Sequence, residues 1–156
     1  MKTNKSELLR SIAIPLLVGI LSSILSGGGM EVFGALNKPV LSPPGWLFPI
    51  VWTILYILMG VASYLVLQSA GDYKEIDKAA YLYAAQLIVN FFWSILFFRL
   101  EWYGISFLWL VLLWILILLT IIQFGKISKT AAYLMIPYLV WVTFAGYLNL
   151  SIWLLN

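Results

Sequence analysis

The sequence predicts an all-α integral membrane protein, a bundle of five transmembrane helices, and three observations carry that prediction. Of the 156 residues, 63% are hydrophobic and 10% charged, with a mean hydropathy of +1.01, so a soluble fold would lack the polar surface to cover itself. All charged residues fall outside five uncharged runs, 11–30, 39–71, 79–98, 102–125 and 130–156, and each run holds the ~20 residues that cross ~30 Å of hydrocarbon as a helix. Leu110 to Ile122 is almost unbroken in its apolar character, whereas a membrane β-barrel alternates apolar and polar residues over short segments. The expectation is one transmembrane domain over residues 1–156, with spans at about 8–25, 44–67, 79–98, 102–124 and 130–154.

Span one carries Pro15 and ends at Gly27-Gly28-Gly29, glycine being the residue that most easily closes a helix C-terminus. Its basic start and apolar stretch also suit a cleaved leader, but the charge bias across the membrane closes when the segment counts as a span. The connection from Gly27 to Pro44 is the longest loop, and such loops in compact helical proteins are functional or disordered. Its apolar residues Val32, Phe33, Leu36, Val40 and Leu41 predict a lid packed over the helix ends. Span two opens at Pro43-Pro44, because the first turn of a helix has no intrahelical partner for the N–H that proline lacks. Just inside, Trp52 and Tyr56 are i,i+4 neighbours on one face, with Pro49 before them.

Span three opens with Ala79, Ala80, Ala84 and Ala85. The small-xxx-small pair Ala80/Ala84 predicts close helix–helix contact, expected to be a homodimer face. Span four, built mainly of Leu, Ile and Trp, suits a helix facing lipid on one side. Span five contains Pro137, Trp141, Asn149 and Trp153. Aromatics near the span ends, Trp46, Tyr81, Tyr83, Trp102, Tyr103 and Trp153, fit an interfacial belt.

Lys2, Lys5, Arg10, Lys74, Lys78, Lys126 and Lys129 fall at one end of the spans, and only Lys38 and Arg99 at the other. By the positive-inside rule the N-terminus is cytoplasmic and the first loop and C-terminus lie on the opposite side. The net charge of +3 reports this topology rather than a nucleic-acid groove, since the basic residues are scattered over short loops. The chain has no histidine and no cysteine, and no acid lies inside a span. That closes the Ser-His-Asp triad, a zinc site, His- or Cys-ligated haem and a buried carboxylate relay, and no metal ligand set is expected. The odd number of spans also cannot form two equal transporter halves.

The spans do contain aromatic rings and amides. Trp52, Trp93 and Trp141 lie inside spans two, three and five on faces that also carry Tyr56, Asn90 and Ala145. Together they can line one flat, apolar cavity with a few polar handles, the usual character of a small-molecule site. Gln86, Asn90 and Asn149 must each find partners in hydrocarbon, as interhelical glue or as ligand contacts.

The chain resembles the tryptophan-rich sensory proteins, also called translocator proteins or peripheral-type benzodiazepine receptors. The resemblance rests on Lys38-Pro39, Ser42-Pro43-Pro44-Gly45-Trp46 with Phe48-Pro49, Trp52 and Leu55-Tyr56, on Tyr83-Ala84-Ala85-Gln86-Leu87 with Asn90 and Phe97-Phe98, and on Pro137-Tyr138-Leu139 with Trp141, Phe144-Ala145 and Leu148-Asn149. It implies a five-helix bundle, commonly dimeric, with a pocket beneath the first loop that binds protoporphyrin IX and other hydrophobic ligands. The chain is then a membrane receptor or sensor for porphyrins, which serve as ligand or substrate and not as a resident cofactor, and the alternative is a transporter of such molecules. The ligand-binding set so implied is Trp46, Phe48, Trp52, Tyr56, Gln86, Asn90, Trp93, Phe97, Trp141, Phe144, Ala145, Leu148 and Asn149. Some bacterial members are associated with light-dependent porphyrin breakdown through two pocket tryptophans, which match Trp52 and Trp141. The family's Trp-Tyr pair in the first loop is Val32-Phe33 here, the Trp usually following Lys-Pro is Leu41, and no basic residue follows Tyr147 to complete a sterol-type pattern.

Overall fold

The computed structural model describes residues 2–156. It consists of α1 (Lys5–Ser26), α2 (Gly29–Ala35), α3 (Leu47–Leu67), α4 (Tyr73–Ser94) continued by a π-helical turn (Ile95–Arg99), α5 (Tyr103–Ile127) and α6 (Lys129–Leu155). All but the short α2 are long and apolar enough to cross a membrane, giving five such helices. They pack in a ring that runs α1–α3–α6–α5–α4 and back to α1, and α3 also touches α4 across it. Met59, Leu113, Ile117, Met135 and Val142 fill its interior without exposure, while Leu9, Leu17, Ile24, Leu108 and Val140 project outward. An apolar outer face over a packed interior is what lipid solvent permits.

The helix ends follow local chemistry. Asn4 caps α1, its Oδ1 accepting from the Ser6 N–H at 3.2 Å and the Glu7 N–H at 3.4 Å. Asp72 caps α4, accepting from the Lys74 N–H at 3.0 Å. This helix therefore starts at Tyr73, before the expected Ala79, because hydropathy sees only its apolar part and not the polar first turns that stand outside the hydrocarbon. Those turns are anchored by Gln123, whose Nε2 donates to the Glu75 carbonyl at 3.0 Å and to its carboxylate at 2.6 Å.

α3 starts at Leu47 rather than at Pro44. Pro44 and Gly45 stay in a turn, their carbonyls accepting from the Leu47 N–H (3.1 Å) and the Phe48 N–H (3.3 Å). Pro49 is the proline that occupies the first helical turn, where its missing N–H costs nothing. Pro15 lies within α1 and removes the donor that would have bonded the Ser11 carbonyl four residues earlier. Gly60 of α3 packs on that carbonyl, so closely that a Cβ there would lie 2.7 Å from the Ser11 oxygen.

The loop after α1 is less of a lid than its composition suggests. Phe33 of α2 is buried, its ring edge-on to Phe48 at 5.0 Å, but Val40 and Leu41 are exposed and Val32 is only half-buried. Lys38 explains the difference, because its Nζ donates to the carbonyls of Phe33 (2.8 Å), Gly34 (3.2 Å) and Leu36 (3.0 Å) and sits 5.1 Å from the Phe33 ring centre. The C-terminus of α2 is thus held by a cation rather than by the downstream apolar residues. The loop is fastened to α6 by Asn156, whose amide accepts from the Asn37 N–H at 3.2 Å and donates to the Asn37 carbonyl at 3.0 Å.

α5 carries more than its composition shows, since Trp109 Nε1 donates to the Val89 carbonyl at 2.7 Å and Trp114 Nε1 to Thr143 Oγ1 at 2.8 Å, stitching it to both neighbours. One other expectation needs correcting. Tyr83 is not a belt residue exposed at the interface: its ring stacks on Phe124 at 5.9 Å and its hydroxyl is buried.

Candidate ligand-binding cavity

A cavity of about 420 Å³ opens among α1, α2, α3, α4 and α6, at the end of the bundle away from the Lys74–Lys78 and Lys126–Lys129 turns. Its wall is apolar and aromatic, and no lining residue is charged. From α3, Trp52 and Tyr56 face it as a stacked pair with ring centres 5.5 Å apart and planes at 29°. From the end of α4, Trp93 and Phe97 form a second stacked pair, also at 5.5 Å and 29°. Phe48 closes it below the loop, and Ala145, Leu148 and Asn149 supply the α6 side. Those α6 positions share one helical face.

Phe97 and Phe98 both reach the cavity because the helix widens there. Over Ile95–Arg99 the ladder shifts to π spacing, as in the Leu100 N–H to Ile95 carbonyl bond of 3.0 Å. One extra residue per turn rotates the following side chains, and such turns recur at functional sites.

Polar groups border the cavity in two networks. Trp93 Nε1 and Ser106 Oγ each lie 3.1 Å from Asn149 Oδ1, to which they donate, while Asn149 Nδ2 donates to the Tyr103 carbonyl at 2.8 Å. The second crosses the ring: Tyr56 Oη donates to Asn90 Oδ1 (3.3 Å), Asn90 Nδ2 to Tyr138 Oη (2.7 Å), and Tyr138 Oη to Gln86 Oε1 (2.7 Å).

Of the expected contact residues, Phe48, Trp52, Tyr56, Trp93, Phe97, Ala145, Leu148 and Asn149 stand on the wall. The other five do not. Gln86 and Asn90 are buried behind it, Asn90 bonded to Tyr56 and Tyr138 and Gln86 to Tyr138 through its Oε1, with its Nε2 left unpartnered among the described residues. Trp141 shares the α6 face of Ala145 but packs edge-on against Phe48 at 5.7 Å, and so lies behind the cavity's aromatic wall rather than in it. Phe144 flanks Trp141 at 5.6 Å and is absent from the wall, and Trp46, at the start of α3, is 62% exposed on the surface.

Sequence reasoning missed the whole α1 wall, where Gly19, Ser22, Ser23 and Ser26 line the cavity together with Met30 and Phe33 of the loop. Their spacing on one helical face was visible, and small residues at such spacing mark close approach between membrane helices. Here they make room: the Tyr56 ring lies against Gly19, where any Cβ would overlap it. Ser22 and Ser26 turn their hydroxyls to the carbonyls of Phe91 (2.8 Å) and Ser22 (2.6 Å), which leaves that wall small and neutral. Among the described residues no group of three or more metal-ligating His, Cys, Asp or Glu side chains forms.

Comparison with known proteins converges with this architecture. Residues 11–154 match the model of the TspO/MBR family. The chain is 45% identical over 124 residues to the tryptophan-rich protein TspO of Chlorobaculum tepidum, covering 80% of this chain and 78% of that one. It is 36% identical over 154 residues to the tryptophan-rich protein TspO of Archaeoglobus fulgidus, covering 98% and 99%. It is also 35% identical to the human translocator protein over 135 residues, 85% of this chain and 79% of that one. With five apolar helices in a ring and a match along nearly its whole length, the chain is an integral membrane protein that belongs to the TspO/MBR family.

Proposed function

We propose that the chain is a membrane receptor or sensor that binds protoporphyrin IX and related hydrophobic ligands in this cavity. The observation that carries the reading is the uncharged aromatic wall, in which the stacked pairs Trp52/Tyr56 and Trp93/Phe97 border one slot. Flat rings offer large contact area at low entropic cost to a flat ligand. Phe48, Ala145, Leu148 and Asn149 complete the contact set, and Asn90 and Gln86 act through Tyr56 and Tyr138.

The neutral wall has a consequence for chemistry. No general acid or base of matched pKa faces the slot, so turnover of a bound porphyrin rests on the ligand's own absorption of light, with Trp52 and Trp93 as the indoles on the cavity wall. A second reading, movement of the ligand through the membrane, is favoured by one feature: Ile20, Ser23 and Ile24 of α1 and Thr53 of α3 line the cavity and are also exposed on the outer face. Purified protein titrated with protoporphyrin IX, dark and illuminated, tests the first reading by quenching of tryptophan fluorescence and by loss of porphyrin absorbance. Absence of saturable binding overturns it, and porphyrin flux into proteoliposome interiors that proceeds equally in the dark and without breakdown would favour the second.

The reading places the cavity on the non-cytoplasmic side, because seven basic residues lie at the other end of the bundle. As the chain has no cysteine, single substitutions report this cleanly. Val40→Cys is expected to react with an impermeant maleimide in intact cells and Lys129→Cys only after lysis.

A further inference from the structure

The cavity wall carries no charge, yet one cation stands free at its rim. Arg99 closes the π-helical turn directly after Phe98, and its Nη1 donates to the Leu25 carbonyl at 2.9 Å. Leu25 lies between Ile24 and Ser26, and Ile24, Ser26 and Phe98 all line the cavity, so the guanidinium is pinned to the mouth by residues on both sides. It is exposed, and among the described residues it forms no ion pair within 4.0 Å. The other charges at this end are placed differently. Lys38 is spent on three carbonyls and the Phe33 ring, while Glu31 folds back beside Gly28 and Glu101 lies beyond the turn.

We infer that Arg99 is a carboxylate subsite, so that the cavity takes amphipathic ligands with a flat apolar body and an acidic edge that stays at the rim. An arginine offers five donors in a planar fork that matches a carboxylate, and Leu25 uses only one of its nitrogens. The carbonyl bond holds the fork in place before the ligand arrives. A neutral slot with a cation at its mouth also fixes the ligand's direction, because a carboxylate driven into the wall would meet no compensating charge.

The inference rests on the porphyrin reading of the cavity and is tested with protoporphyrin IX and its dimethyl ester, which share the ring and differ in charge. Affinities are measured for the wild type, Arg99→Gln and Arg99→Lys in a maltoside detergent at low and high salt. Arg99→Gln should weaken the diacid by about threefold to tenfold and leave the ester unchanged. Arg99→Lys should recover part of the loss, and the diacid's advantage should shrink as salt rises. Equal weakening of both ligands would make Arg99 a cap for α1 and overturn the subsite. No effect on either would also overturn it, and would leave the arginine to the phosphates of surrounding lipid. Failure of the wild type to bind either compound removes the porphyrin reading itself and this inference with it, whereas binding of both without dependence on Arg99 removes the inference alone.

Discussion

Trp52 and Trp141 separate once their surroundings are known. Trp52 faces the cavity, stacks on Tyr56 and meets the edge of Tyr138 at 6.1 Å, whereas Trp141 lies behind Phe48. If an indole beside the ligand donates an electron or traps a reactive oxygen product, distance favours Trp52. Trp52→Phe should retain most porphyrin affinity, because Phe keeps an apolar ring, and should slow light-driven loss of porphyrin absorbance several-fold. Trp141→Phe should slow it less. Equal rates in all three proteins, or equal rates in the dark, would remove tryptophan from the chemistry. Asn90 supports the same wall from behind, since among the described residues it alone links the Tyr56 and Tyr138 hydroxyls. Asn90→Leu should lower stability by about 1 kcal/mol, taking hydrogen bonds between membrane helices at about 0.6 kcal/mol each. The check is the thermal midpoint in detergent, where Asn90→Leu should melt below the wild type by a few degrees.

At the scale of helices, the spans were legible because the charges mark their limits, and the exceptions have physical causes. Hydropathy cannot see a polar first turn, so α4 begins at Tyr73 and not at Ala79. Proline chemistry named the entrance of α3 but placed it at Pro43-Pro44, whereas Pro49, which satisfies the same rule, is the proline in the first turn. Helical periodicity located Trp52, Trp93 and Ala145, which stand on the cavity. It failed for Trp141 and Asn90, because a shared face does not say which side chain reaches the space and which is covered by a neighbour. The α1 wall escaped because small residues offer no aromatic signal. The contact between α1 and α3 was equally hidden, depending on a carbonyl freed by Pro15 and a glycine on another helix. Gly60→Val should force these helices apart, since even its Cβ would sit 2.7 Å from the Ser11 oxygen. The expected result is a lower thermal midpoint and reduced yield of folded protein. A midpoint equal to the wild type would show that the contact yields without cost.

For the molecule as a whole, the ring leaves one small-residue surface uncovered. Ala79 is buried within the chain, but Ala80 is only half-buried and Ala84 is exposed, with Tyr81 and Ile88 exposed on the same side of α4. These alanines therefore do not serve mainly to pack α4 against its own neighbours. In lipid, where apolar surface alone gives helices little reason to associate, a strip without bulky side chains lets two backbones approach and gain dispersion contacts. We propose that a second copy of the chain occupies this face, with Ala80 and Ala84 at the crossing and Tyr81 and Ile88 at its margins. Ala84→Leu should hold the two helices apart and shift the equilibrium toward monomer, without disturbing the cavity on the inner side of the ring. Crosslinking in native membranes and the mass of the detergent-solubilised particle give the oligomeric state, and porphyrin titration of the same sample reports the cavity. Loss of the dimer with porphyrin affinity retained is the expected outcome. An unchanged dimer in Ala84→Leu would place the interface elsewhere, and loss of affinity together with the dimer would mean that the cavity depends on the second copy.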